Sequence, residues 1–70
     1  MSNGSFYSKV TVIFKDGTTV DFKSVKTDSI DIDEFNFLRF KRLLDLDRWA
    51  QVVIDLDDNV RYYEIVPGEI

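Results

Sequence analysis

Residues 31–46 read DIDEFNFLRFKRLLDL. Asp31, Asp33 and Glu34 are side chains of the kind that cap a helix N-terminus and complement its dipole. Phe37, Phe40 and Leu44 follow at spacings of three and four, which is the stripe of an amphipathic helix. Leu38 lies off that stripe, and Phe35-Asn36-Phe37 also carries the alternation of a strand. The spacing predicts a helix over 33–46, and that helix decides the fold class.

Outward from it, both flanks read as hairpins. Val10, Val12 and Phe14 alternate with more polar positions, and so do Val20 and Phe22 beyond Lys15-Asp16-Gly17. Strand side chains have a period of two, so register fixes which face each one takes. A two-residue loop would oppose Val12 to Asp21. A three-residue loop with Gly17 in the left-handed region opposes Phe14 to Thr18, Val12 to Val20 and Val10 to Phe22, and keeps the apolar partners together. The second flank repeats the pattern: Val52, Ile54 and Leu56 alternate before Asp57-Asp58-Asn59, where Asn59 replaces Gly17. Its register pairs Leu56 with Val60, Ile54 with Tyr62 and Asp55 with Arg61. The expected fold is α+β: two β-hairpins form a four-stranded antiparallel sheet, with one helix packed on a face in ββαββ order. Residues 1–5 are small and polar, without the apolar run of a secretory signal, and are expected to be a flexible N-terminus. Residues 6–70 are expected to form a single domain.

The chain has 70 residues, neither cysteine nor histidine, and a net charge of −4. At that length a core is near the lower limit for independent stability, and neither a disulfide nor a thiolate–metal staple can help. Aromatic packing and self-association remain, and the chain carries six Phe, three Tyr and one Trp. Without histidine, Ser8, Ser24 and Ser29 have no Ser-His dyad to activate them. Asp55-x-Asp57-x-Asn59 opens like a calcium loop, but Val60 stands where the loop needs glycine and Val66 where it needs the bidentate glutamate. An acidic turn explains it better. The expectation is a cytoplasmic, non-enzymatic protein with no cofactor, no metal, no membrane span and no direct nucleic-acid ligand.

Charge divides unevenly. Residues 1–27 carry +2 and residues 28–70 carry −6. Most acids of the second part fall into three rows: Asp31-Ile32-Asp33, continued by Glu34; Asp45-Leu46-Asp47; and Asp55-Leu56-Asp57, continued by Asp58. In an extended chain, residues two apart point the same way, roughly 6.6 Å from each other. Such rows could present a rail of negative charge comparable to the phosphates of DNA. Asp45 and Asp47 at the end of a helix would stand against its dipole, which suggests use by something outside the fold. Turns and caps account for Asp31, Asp33, Asp57 and Asp58 without any partner. Arg39, Lys41 and Arg42 read as a solvated helix face, with Lys41 available to Asp45.

In size, acidity, lack of cysteine and rows of carboxylates, the chain resembles the phage-encoded DNA-mimic proteins. It looks most like the small acidic inhibitors of the nucleoid-associated protein HU. The resemblance implies that the partner is a basic DNA-binding protein of the host, met in the bacterial cytoplasm. Asp31, Asp33, Glu34, Asp45, Asp47, Asp55, Asp57 and Asp58 would supply the charge, and Trp49, Tyr63 and Ile65 the apolar contacts. The alternative is a structural or regulatory dimerisation module. Its contact would be an outer sheet face carrying Thr11, Ile13, Val53, Tyr63 and Ile65, giving a homodimer.

Overall fold

The computed structural model describes residues 6–68; the expected flexible segment 1–5 lies outside them. They form an antiparallel sheet and no α-helix. The strands are β1 (Tyr7–Phe14), β2 (Thr19–Lys26), β3 (Asp31–Ile32), β4 (Phe37–Asp45), β5 (Arg48–Asp55) and β6 (Val60–Pro67), with a 3-10 turn at Thr27–Ser29. The α+β expectation is therefore wrong, and the fold is nearly all β.

The error lies in residues 31–46. Leu38 and Phe40 are buried and alternate with exposed Arg39 and Lys41, which is a strand period. Arg42 occupies the next inward position, its guanidinium carbon 6.0 Å from the centre of the Phe22 ring. Read as polar, Arg42 hides the alternation and leaves the spacing of Phe37, Phe40 and Leu44 to suggest a helix. Asp33 does the hydrogen-bond chemistry of a cap, but for a turn. Its Oδ1 accepts the main-chain N–H of Phe35 at 2.8 Å and of Phe37 at 3.1 Å. Asn36 adopts a left-handed φ of 65°, and the chain reverses so that Ile32 faces Leu38 and Asp31 faces Arg39.

The first hairpin has the register derived from its sequence: Val12 faces Val20 and Val10 faces Phe22. Gly17 holds φ 94°, and the Phe14 N–H donates to Thr18 O at 2.8 Å. A bulge follows at Lys23-Ser24, with Ser24 at φ 57°. It bends β2 and returns Val25 to the interior. The 3-10 turn then interrupts the contact of β2 with β4. Ser29 bridges the break: its hydroxyl donates to Lys26 O at 2.6 Å and accepts the Lys41 N–H at 2.9 Å. Beyond it β3 continues along the same edge of β4.

The second expected hairpin does not form. Asn59 is left-handed, φ 65°, but its two flanking strands part. β5 pairs with β4, opposing Ile54 to Leu38 and Asp55 to Phe37. β6 pairs with β1, opposing Val60 to Phe14 and Tyr62 to Ile13. The pairs Leu56–Val60, Ile54–Tyr62 and Asp55–Arg61 are absent. Turn chemistry sets where a chain reverses, but the neighbours that a strand finds depend on the whole sheet. Once 37–45 is a strand, the two-residue turn Leu46-Asp47 makes it the nearest partner for β5. The sheet order is therefore β5-β4-β2-β1-β6, with β3 beside β4 on the side facing β2. The sheet curls around Val10, Val12, Val25, Leu38, Phe40 and Val60, and Phe22 meets Phe40 edge to face at 5.3 Å.

Candidate functional site

Three loops meet at one end of the curled sheet. The Lys15 N–H donates to Asn59 O at 2.7 Å, tying the β1–β2 turn to the β5–β6 loop. The Leu56 N–H donates to Asn36 O at 3.0 Å, and the Asn36 side-chain amide donates to Asp57 Oδ1 at 2.8 Å, tying that loop to the β3–β4 turn. The loops and the strand end beside them bring together Asp16, Asp33, Glu34, Asp55, Asp57 and Asp58, with Lys15 in the β1–β2 turn and Arg39 and Arg61 on the adjoining strands as the basic residues. Asp31 stands exposed on the adjoining strand. Two of the three acid rows therefore converge.

The third row does not join them. Asp45 and Asp47 flank the β4–β5 turn, at the other end of β4 from Phe37. Eight strand steps separate Phe37 from Asp45, roughly 26 Å at strand rise. With no helix, the dipole argument for these two aspartates lapses. The Arg48 guanidinium grips Asp45 through two bonds of 3.0 and 2.9 Å, and that side-chain pairing holds the Asp45 carboxyl below its ordinary range. Asp47 is exposed.

Several carboxylates of the acidic end have structural work. The Phe37 N–H is the main reason that Asp33 titrates below its ordinary value, helped by the Phe35 N–H and by Arg39 at 2.8 Å. Asp16 is lowered likewise by the Thr18 N–H at 2.9 Å. Asp55 Oδ1 accepts the Asp57 N–H at 3.0 Å. Asp31, Glu34 and Asp58 have no side-chain partner among the described residues and face solvent. Phe35 follows Glu34 in the β3–β4 turn and is 68% exposed. An aromatic side chain held in water contributes nothing to this fold's core. Sequence reading took Phe35 as part of a periodic run. Its exposure follows from the turn, which only the position of β4 defines.

The expected apolar contacts fall elsewhere. Tyr63 faces Val12 and Ile65 faces Val10, so both turn inward and pack half-buried against the core. The expected outer face therefore breaks up. Thr11 and Ile13 lie outward beside Glu64 and Tyr62, while Val53 lies across from Arg39. Trp49 is near the far end of β5, with the Lys26 amine 5.9 Å from its ring centre. Lys26, Lys41, Trp49, Ala50 and Gln51 line an open depression there. The basic cluster is also dispersed: Arg39 pairs with Asp33, Arg42 turns inward, and Lys41 lies in the depression rather than beside Asp45.

No protein-family model matches the chain, and no curated protein or solved structure matches it either. Among the described residues no helix is long and apolar enough to cross a membrane. No group of three or more acidic, histidine or cysteine side chains is arranged there to hold a metal.

Proposed function

We propose that this protein is a non-enzymatic binding module of the cytoplasm that blocks a cationic protein surface with its acidic end. A host DNA-binding protein such as HU offers a surface of that kind, which makes the protein a DNA mimic in its mode of action. The carrying observation is Phe35, exposed directly after Glu34 in the β3–β4 turn, which hydrogen bonds tie to the acidic β5–β6 loop. Charge steers encounter and sets salt dependence, and an aromatic anchor slows release. A carboxylate cluster alone would be explained by solubility; the exposed aromatic in the same turn is what favours a protein partner. The residues assigned to contact are Phe35, Asp31, Glu34 and Asp58, with Asp16 and Asp57 at the margin. Asp45 and Asp47 belong to the opposite end and are assigned no contact.

The test is displacement of labelled duplex DNA from purified HU by the parent and by Asp31→Lys/Glu34→Lys/Asp58→Lys, at low and high salt. The reading expects displacement by the parent, weakened by salt, and its loss in the triple variant and in Phe35→Ser. A triple variant that remains folded by circular dichroism and displaces DNA as well as the parent would sink it.

A further inference from the structure

We infer that two copies of this chain pair through the free edge of β5, about a two-fold axis passing beside Gln51. Among the described residues, no strand pairs with the side of β5 away from β4. Residues 49–54, WAQVVI, contain no charge, proline or glycine. Natural sheets guard their edges with charges, proline or bulges, and an unguarded apolar edge of six residues is a template for another strand. The other outer strand, β6, has such guards: Arg61 and Glu64 along it and Pro67 at its end.

A second copy fits because the edge is self-complementary. In a two-fold antiparallel pair centred on Gln51, each Trp49 opposes the other copy's Val53. Each Ala50 opposes Val52 on the inner face, and the two Gln51 amides meet. Trp49 is 39% exposed and Val53 51% exposed, on the same outer face and two positions either side of Gln51. The inner residues Ala50, Val52 and Ile54 are only half-buried, whereas Val10, Val12, Leu38 and Phe40 of the central strands are fully enclosed. The added strand would cover the poorly covered side of a core that is small for an isolated domain. The assembly closes at two chains, because each copy spends the one unguarded edge among its described residues. At the margins of the pair, Asp55 approaches the other copy's Asp47, so salt strengthens this contact. The acidic-end interaction has the opposite salt dependence, and the two inferences can fail separately.

Sedimentation equilibrium of the parent, up to millimolar protein, should give a monomer–dimer equilibrium that tightens with salt. Gln51→Glu faces Lys41 within its own chain, which favours the folded monomer, but places two carboxylates against each other on the axis. It should weaken the dimer about fivefold at neutral pH, the effect of roughly 1 kcal/mol for one like-charged cross-strand pair. Gln51→Cys, in a chain with no other cysteine, should give a disulfide-linked dimer on mild oxidation, and Tyr62→Cys on β6 should not. A parent that stays monomeric throughout, open-ended aggregates in place of a dimer, an unchanged constant for Gln51→Glu, or cross-linking through Tyr62→Cys alone would each overturn the inference.

Discussion

Arg42 lies over Phe22 at 6.0 Å while its Nε, buried, has no hydrogen-bond partner. The first contact is favourable by about 0.5–1 kcal/mol where exposed and more when desolvated. The orphaned donor costs about 1–3 kcal/mol. The position continues the inward row of Leu38 and Phe40, so an apolar residue satisfies the strand pattern better. Arg42→Leu should raise stability by about 1 kcal/mol, or some 4–8 °C in a domain of this size, read by thermal denaturation. A fall in the midpoint would mean that the cation–aromatic contact outweighs the orphaned donor.

The same residue explains much of what could and could not be read in the sequence. The β1–β2 hairpin was legible because all of its determinants are local: alternating valines, a three-residue loop and Gly17. β4 was not, because one arginine breaks the alternation that Leu38 and Phe40 begin, and because Asp33 makes bonds common to caps and turns. The partners of β5 and β6 were not legible either. Asn59 marks a reversal, but nothing near it says that β6 returns to β1, whose nearest partner in sequence, Phe14 against Val60, lies far back along the chain. For the site, the acid rows were visible as rows, whereas their convergence depends on three bonds between distant loops. Phe35 gave no signal apart from the turn that exposes it.

Gly17 and Asn59 hold comparable left-handed positions with φ of 94° and 65°. A Cβ added at Gly17 would meet nothing within 4 Å, so only the backbone resists substitution. Gly17→Ala should cost about 1–2 kcal/mol, the price of left-handed backbone for a residue with a Cβ, and Gly17→Asn distinctly less. Denaturant melts that rank alanine equal to asparagine would show that the turn relaxes.

Ser29 substitutes for the ladder bonds that the 3-10 turn removes between β2 and β4. Ser29→Ala should cost about 1 kcal/mol, since water reaches one of the two groups it leaves unpaired. Ser29→Thr keeps the hydroxyl and should lose much less. Amide hydrogen exchange gives the sharper reading: the Lys41 N–H should lose protection in the alanine variant while the Phe40 N–H keeps its own. Equal loss along β4 would point to general destabilisation and not to a bridge.

Asp33 makes the β3–β4 turn sensitive to acid. Its carboxylate titrates below the ordinary value of 3.8, first because the Phe37 N–H stabilises the charged form, with lesser help from Phe35 and Arg39. A carboxylate depressed in the folded state binds protons more readily when unfolded. Its contribution is therefore complete above the unfolded value and disappears as pH falls through the lower, folded one. Asp16 and Asp45 shift in the same direction and add to the same limb. Stability should be level from neutral pH down to about 5 and decline below 4, the usual carboxylate range. Asp33→Asn keeps an acceptor for both amides but cannot titrate, so its stability should fall less steeply with acid while being lower at neutral pH. Asp33→Ala, which loses the acceptor too, should be the least stable of the three at pH 7. Because the leading cause is a main-chain bond, added salt should leave most of the Asp33 effect intact and weaken chiefly the exposed Asp45–Arg48 pair. Urea melts of the three proteins at several pH values test the ordering, and parallel curves for parent and Asp33→Asn would remove Asp33 from the acid limb.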